Sequence, residues 1–204
     1  LQDTLIFTLA GAALNFVLYG DRWLMAEFSM SFEMVAVYSV VTQASLLVVL
    51  VLEQVSKIFV PLISNLENVT DIGQKNLKKF FFTLFIFMIS VPIIGGLTGY
   101  LYITFLFGVD YWEKGQNLYW ILIFGLVFYP IQMFSRGFLI RFHSVFLTLV
   151  LNCVAGFILL AVIILASEDY GVLTFAFARA SAFVFVGVSF FCMVFLPLLK
   201  RVTK

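Results

Sequence analysis

The side chains able to do chemistry in this sequence are few, and most stand among apolar neighbours. Glu53 and Lys57 sit inside the apolar run from Met34 to Ile63, together with Gln43 and Gln54. Arg179 sits inside the run from Val172 to Leu199, with no acid close to it on that run. Arg22 follows Asp21 at the end of the first run, and Arg136 and Arg141 lie near the end of the fourth. Glu53 and Lys57 are four residues apart, so on a helix their side chains can meet. Two readings stand: an ion pair that neutralises itself, or a polar stripe lining a water-filled cavity, with Lys57 snorkelling to the membrane surface. Arg179 is always charged and suits bidentate contact with carboxylate or phosphate. Either it snorkels or pairs with an acid on a neighbouring helix, or it faces a cavity that receives an anion. Arg136 and Arg141 are either surface anchors or groups that attract phosphate at the membrane surface. Arg22 is either an outer gate group or the partner of Asp21.

Other chemistry lacks its residues. His143 is the single histidine, and no acid pair or cysteine cluster joins it, so no metal site is expected. Cys153 and Cys192 lie in apolar runs and read as small packing residues. There is no G-x-S-x-G elbow and no phosphate-binding GxxxxGK[ST] loop. The sequence therefore predicts neither an enzyme nor a bound cofactor. Coupling to H⁺ or Na⁺ is the one ionic role left open, with Glu53 the only acid well inside a span.

The elements that must position these groups follow from composition. Of 204 residues, 63% are hydrophobic, only 11% are charged, and Phe alone contributes 26. Soluble domains are about 25% charged, so this chain has too little polar surface to face water. The net charge of +1 points to no nucleic-acid partner. Six runs are apolar enough to cross a bilayer, at about residues 5–19, 34–63, 80–107, 118–140, 145–166 and 172–199. They predict an all-α integral membrane protein, a single bundle of six spans over residues 1–204. Helices satisfy their own backbone groups in lipid, and stretches such as Leu46 to Leu52 show none of the alternation of a membrane barrel. Tyr19, Trp23, Trp112, Trp120 and Tyr170 fall near the predicted ends as interfacial belts.

Lys75, Lys78, Lys79, Arg136, Arg141, Lys200, Arg201 and Lys204 gather on one side of the predicted spans. The other side holds only Arg22 and Lys114. The richer side is expected to be cytoplasmic, which puts both termini inside. No signal peptide is read at the start, and the opening Leu1 suggests a piece of a longer protein. The sequon Asn68-Val69-Thr70 falls in the predicted cytoplasmic connection and reads as a chance match. Residues 23–33 read as a short interfacial helix or lid on the outer side. The connection from Ser64 to Lys79 is expected to turn near Asp71 and Gly73. Pro92, Gly95, Gly96 and Gly99 in span three mark either close packing against a neighbour or a hinge, and Pro130 predicts a kink in span four.

Several short motifs then follow one another in a telling order. Asp21/Arg22 ends one run, Val35 to Ser39 opens the next with V-x-x-Y-S, and Pro61 to Ser64 closes it with Pro-x-Ile-Ser. FLFGVDYW (Phe105 to Trp112) and SEDYGVLTFAFARASAF (Ser167 to Phe183) come later. This order resembles the polysaccharide (O-antigen) flippases of the multidrug/oligosaccharidyl-lipid/polysaccharide exporter superfamily. The resemblance implies the C-terminal six-helix lobe of a two-lobe exporter in a bacterial inner membrane. It further implies alternating-access translocation of an undecaprenyl-type lipid-linked oligosaccharide, with a missing N-terminal lobe as partner. Cationic residues of the cavity would meet the pyrophosphate or acidic sugars; the candidate set is Arg22, Glu53, Lys57, Arg136 and Arg179. A cation-coupled multidrug or small-molecule antiporter of the same superfamily is the alternative. A membrane glycan enzyme or an assembly subunit without transport comes behind both.

Overall fold

A backbone in lipid finds no outside partner for its N–H and C=O groups, so an apolar chain must close its hydrogen bonds within each segment. The computed structural model describes residues 2–28, 31–64, 74–142 and 145–196, and every regular element among them is a helix. These are α1 (Gln2–Glu27), α2 (Phe32–Ser64), α3 (Gln74–Phe107), α4 (Val109–Leu126), α5 (Tyr129–Phe142), α6 (Val145–Tyr170) and α7 (Val172–Phe190). A π-helical turn, Phe191–Phe195, continues α7. Six spans are long and apolar enough to cross a membrane: Thr4–Met25, Phe32–Val55, Phe80–Phe107, Val109–Ser135, Phe146–Glu168 and Val172–Phe195.

Three expected boundaries are corrected. The first run does not close at Gly20 and Asp21/Arg22, because α1 continues through them to Glu27. Of residues 23–33, those from Trp23 to Glu27 belong to α1 and Phe32 and Glu33 open α2, so no separate lid helix is seen among the described residues. The fourth span starts at Val109 rather than Leu118, because Gly108 alone makes the turn from α3. Its φ of +98° is open to Gly and strained for other residues, and Gly171 (φ +55°) makes the matching turn between α6 and α7. The span-four kink expected at Pro130 is present as a break at Val127 and Phe128, just before the proline. Pro130 has no N–H to give to the preceding turn, so α4 stops and α5 begins anew. The sequon, Asp71, Gly73 and His143 lie outside the described residues.

The bundle is built around α7, which packs along α6 and α4 and touches α5 and α1. α1 lies mainly against α6, whereas α2 lies against α3, α4 and α5; α1 and α2 meet only sparsely. Lipid gives little hydrophobic drive to helix association, so close approach of backbones has to hold these contacts. A Cβ on Gly125 would stand 2.6 Å from Ala180 Cα, and one on Gly187 would stand 2.6 Å from Phe128 Cβ. The glycines of α3 do the same work. Gly95 and Gly96 face Ile123 and Trp120, a Cβ on Gly99 would run into the Tyr119 ring, and Tyr119 Oη donates to Gly95 O at 2.5 Å. Gly95, Gly96 and Gly99 are thus closely packed, and α3 runs unbroken through Pro92. Cys153 and Cys192 are exposed rather than packed.

Candidate functional site

Two of the polar features among the described residues of the spans differ in kind. The first is a sealed knot where α1, α2 and α7 meet. Asp21, Tyr38 and Arg179 each stand six or seven residues from the neighbouring end of their helices, at Glu27, Phe32 and Val172. That is about 10 Å of helix in every case, so the three groups share one depth. Arg179 Nη2 donates to Asp21 and, at 2.6 Å, to Leu18 O. Tyr38 Oη donates to the other carboxylate oxygen of Asp21, and the Arg22 backbone N–H donates to Asp21 Oδ1 at 2.9 Å. All three side chains are buried, and Phe175 covers Tyr38 with an edge-on ring contact at 6.3 Å. A charge alone in hydrocarbon costs about 3 kcal/mol by insertion scales, so pairing decides whether these residues can sit here at all. Of the two readings of Arg179, pairing with an acid on a neighbouring helix is the one observed.

The second feature is a pair of exposed stripes. On α1, Thr4, Thr8, Asn15 and Tyr19 are exposed and Arg22 is half-buried, at spacings that keep them on one side of the helix. On α2, Gln43, Gln54 and Lys57 are exposed and Ser39 and Glu53 half-buried, again on one side. Asn15 and Gln43 lie six and five residues below the Asp21–Tyr38 link, so they share a depth to within about 2 Å. The exposed faces of the other helices are different. α3 offers Phe82, Phe85, Ile89, Ile93 and Leu97; α6 offers Phe146, Val150, Phe157 and Ile164. Below the turns, the exposed amides and charges among the described residues are Asn15 on α1, Gln43, Gln54 and Lys57 on α2, and Asn117 on α4.

Glu53 and Lys57 turn to different partners. Lys57 Nζ donates to Gln54 Oε1 at 3.1 Å, and Glu53 Oε1 accepts from Tyr129 Oη at 3.1 Å. The latter bond ties α2 to the first residue of α5, beside the break in span four. Arg136 lies on α5, and its side chain is outside the described residues. The expected set is therefore divided: Arg179 is in the knot, Arg22 at its edge, and Glu53 and Lys57 on the open stripe. Sequence reasoning missed Asp21 as the partner of Arg179, Tyr38 as its second donor, and Asn15. It also missed a buried ladder in which Gln132 donates to Asn152 (3.3 Å) and Asn152 to Ala10 O (3.0 Å), joining α5, α6 and α1. The periodic polar positions of α1 were the available signal. Among the described residues no group of His, Cys, Asp or Glu is placed to hold a metal ion.

Six helices long and apolar enough to cross a membrane are those of a multi-pass α-helical membrane protein. No protein-family model matches the chain, no curated protein matches it in sequence, and no solved structure matches it.

Proposed function

We propose that the chain is one six-helix lobe of an exporter that carries a lipid-linked oligosaccharide across a bacterial inner membrane, with both ends of the lobe cytoplasmic. The observation that carries this reading is the row of exposed or half-buried polar groups along one side of α1 and along one side of α2, set against the largely apolar exposed faces of α3 and α6. Amides in hydrocarbon without partners are costly, so a face that keeps them is a face that meets water or a polar cargo. Sugars and phosphates have the same difficulty, and a polar path between two lobes removes it for the head group while the lipid tail stays in the bilayer. A second six-helix lobe forms the opposite wall, and the two rock against each other in alternating access. Glu53 is the acid available for coupling to H⁺ or Na⁺. Its bond to Tyr129 places that charge beside the break in span four. The protein acts as a transporter and makes or breaks no covalent bond.

The test is surface polysaccharide in cells whose copy carries Gln43→Leu or Lys57→Ala, at protein levels matched to wild type. Reduced export in either variant supports the reading. Full export in both removes the α2 stripe from the mechanism, and altered drug tolerance with unchanged polysaccharide turns the reading to the antiporter alternative.

A further inference from the structure

Three spans of the bundle carry a backbone irregularity, and the packing brings the three together. α3 has Pro92 inside it, so the Met88 carbonyl loses its usual N–H donor. Span four breaks at Val127 and Phe128. There the Val127 N–H is shared between Ile123 O (3.1 Å) and Phe124 O (3.3 Å), and the Phe128 N–H turns to Gly125 O (3.2 Å). α7 passes into the π-helical turn Phe191–Phe195. Tightened or widened turns within a span recur at hinges and functional sites. The spans on α1, α2 and α6, by contrast, contain no proline.

Contacts on either side bracket these places. On one side, a Cβ on Gly95 would stand 2.9 Å from Ile123. On the other, the Phe87 and Phe134 rings lie 5.7 Å apart. Between those two contacts α3 contains Pro92 and span four contains its break. The Phe128 backbone rests on Gly187, one turn before the π-helical turn. Beyond the irregularities the three elements are joined by rings. Phe80 of α3 lies 5.7 Å from Phe134 of α5 and 5.5 Å from Phe195 of the π-helical turn, and Phe81 lies 5.7 Å from Phe195. Two side-chain bonds tie this joined segment to helices without a break: Tyr129 Oη to Glu53 on α2 (3.1 Å) and Gln132 to Asn152 on α6 (3.3 Å).

We infer that the Gln74 end of α3, α5 and the π-helical turn form one swinging segment. Its hinges are Pro92, the Val127–Phe128 break and the passage of α7 into the π-helical turn; its latches are Tyr129 and Gln132. The swing carries Tyr129 off Glu53 and frees that carboxylate beside Gln54 and Lys57. This is a movement within the bundle rather than one lobe rocking on another, and it stands or falls separately from the nature of any cargo.

The test uses the full chain in lipid nanodiscs, with Cys153 and Cys192 replaced by Ala and distances read by electron–electron double resonance between two spin labels. Labels on cysteines in place of Phe82 and Val150 report the segment against α6. Labels in place of Phe82 and Met193 report distances inside the segment, and labels in place of Leu101 and Ile164 report the far side of the hinges; all these positions are exposed. Tyr129→Phe with Gln132→Leu removes both latches, and the phenyl ring keeps its contact with Phe183. In that variant the Phe82–Val150 pair should shift to a second population of distances, while the other two pairs stay at their wild-type values. Tyr129→Phe alone should show the second population about fivefold weaker, and it serves if the double variant does not fold. An unchanged Phe82–Val150 distance, or an equal change in either of the other pairs, overturns the inference.

Discussion

The knot at Asp21 and the stripes below it are both polar and both inside the bilayer, yet they are built on opposite terms. In the knot, Arg179, Asp21 and Tyr38 are buried and bonded to one another. Along the stripes, Asn15, Gln43, Gln54 and Lys57 stay open. A buried pair in a membrane protein fixes helices at one relative depth. Open amides and cations have no such structural return and point to something beyond the bundle. A charged residue in a span is therefore not a functional residue by type alone. What separates Arg179 from Lys57 is the partner each finds: a buried carboxylate on another helix for Arg179, and an exposed amide on its own helix, Gln54, for Lys57.

The comparison breaks most violently in the knot. Arg179→Ala removes the buried side-chain cation paired with Asp21, and breaking such a pair costs about 3–5 kcal/mol. Thermal unfolding in detergent should show that loss, while the double replacement Asp21→Leu with Arg179→Met should recover most of it. Gly125→Val is next, since its side chain meets the Ala180 backbone where α4 crosses α7. Overpacking of this kind costs about 1–3 kcal/mol and should appear in the same measurement. Tyr38→Phe removes one hydrogen bond to the carboxylate and should cost about 1.5–3 kcal/mol, falling below Arg179→Ala because no charge is stranded. The stripes should barely register in stability: Gln43→Leu and Asn15→Leu are expected within about 0.5 kcal/mol of wild type. Their effect should fall on export instead. A stripe variant that unfolds as readily as Arg179→Ala would erase the distinction.

How much of this was legible in the sequence depended on the range of the interaction. The six spans were legible because apolar runs of bilayer length have few other uses. The α2 stripe was legible because its amides and charges recur on one side of one helix. The pairing of Arg179 with Asp21 was not, since the two lie on different helices 158 residues apart. Only their similar distance from one end of their spans hinted at it. Asp21/Arg22 was misread as a helix end because a charged pair looks like a membrane boundary. The carboxylate is in fact neutralised from α7, so α1 passes straight through. The glycines of α3 showed the opposite limit: spacing marked them as special, and only the position of Tyr119 and Trp120 shows what they pack against.

The most direct measurement is the reach of water along α1 and α2. With Cys153 and Cys192 replaced by Ala, single cysteines at Asn15, Gln43, Ile93 and Phe157 are exposed in intact membranes to a water-soluble thiol reagent. Cysteines in place of Asn15 and Gln43 should label, and those in place of Ile93 and Phe157, on the apolar faces of α3 and α6, should not. Equal silence at all four positions would mean that lipid or protein covers the polar stripes, and the polar path would be gone.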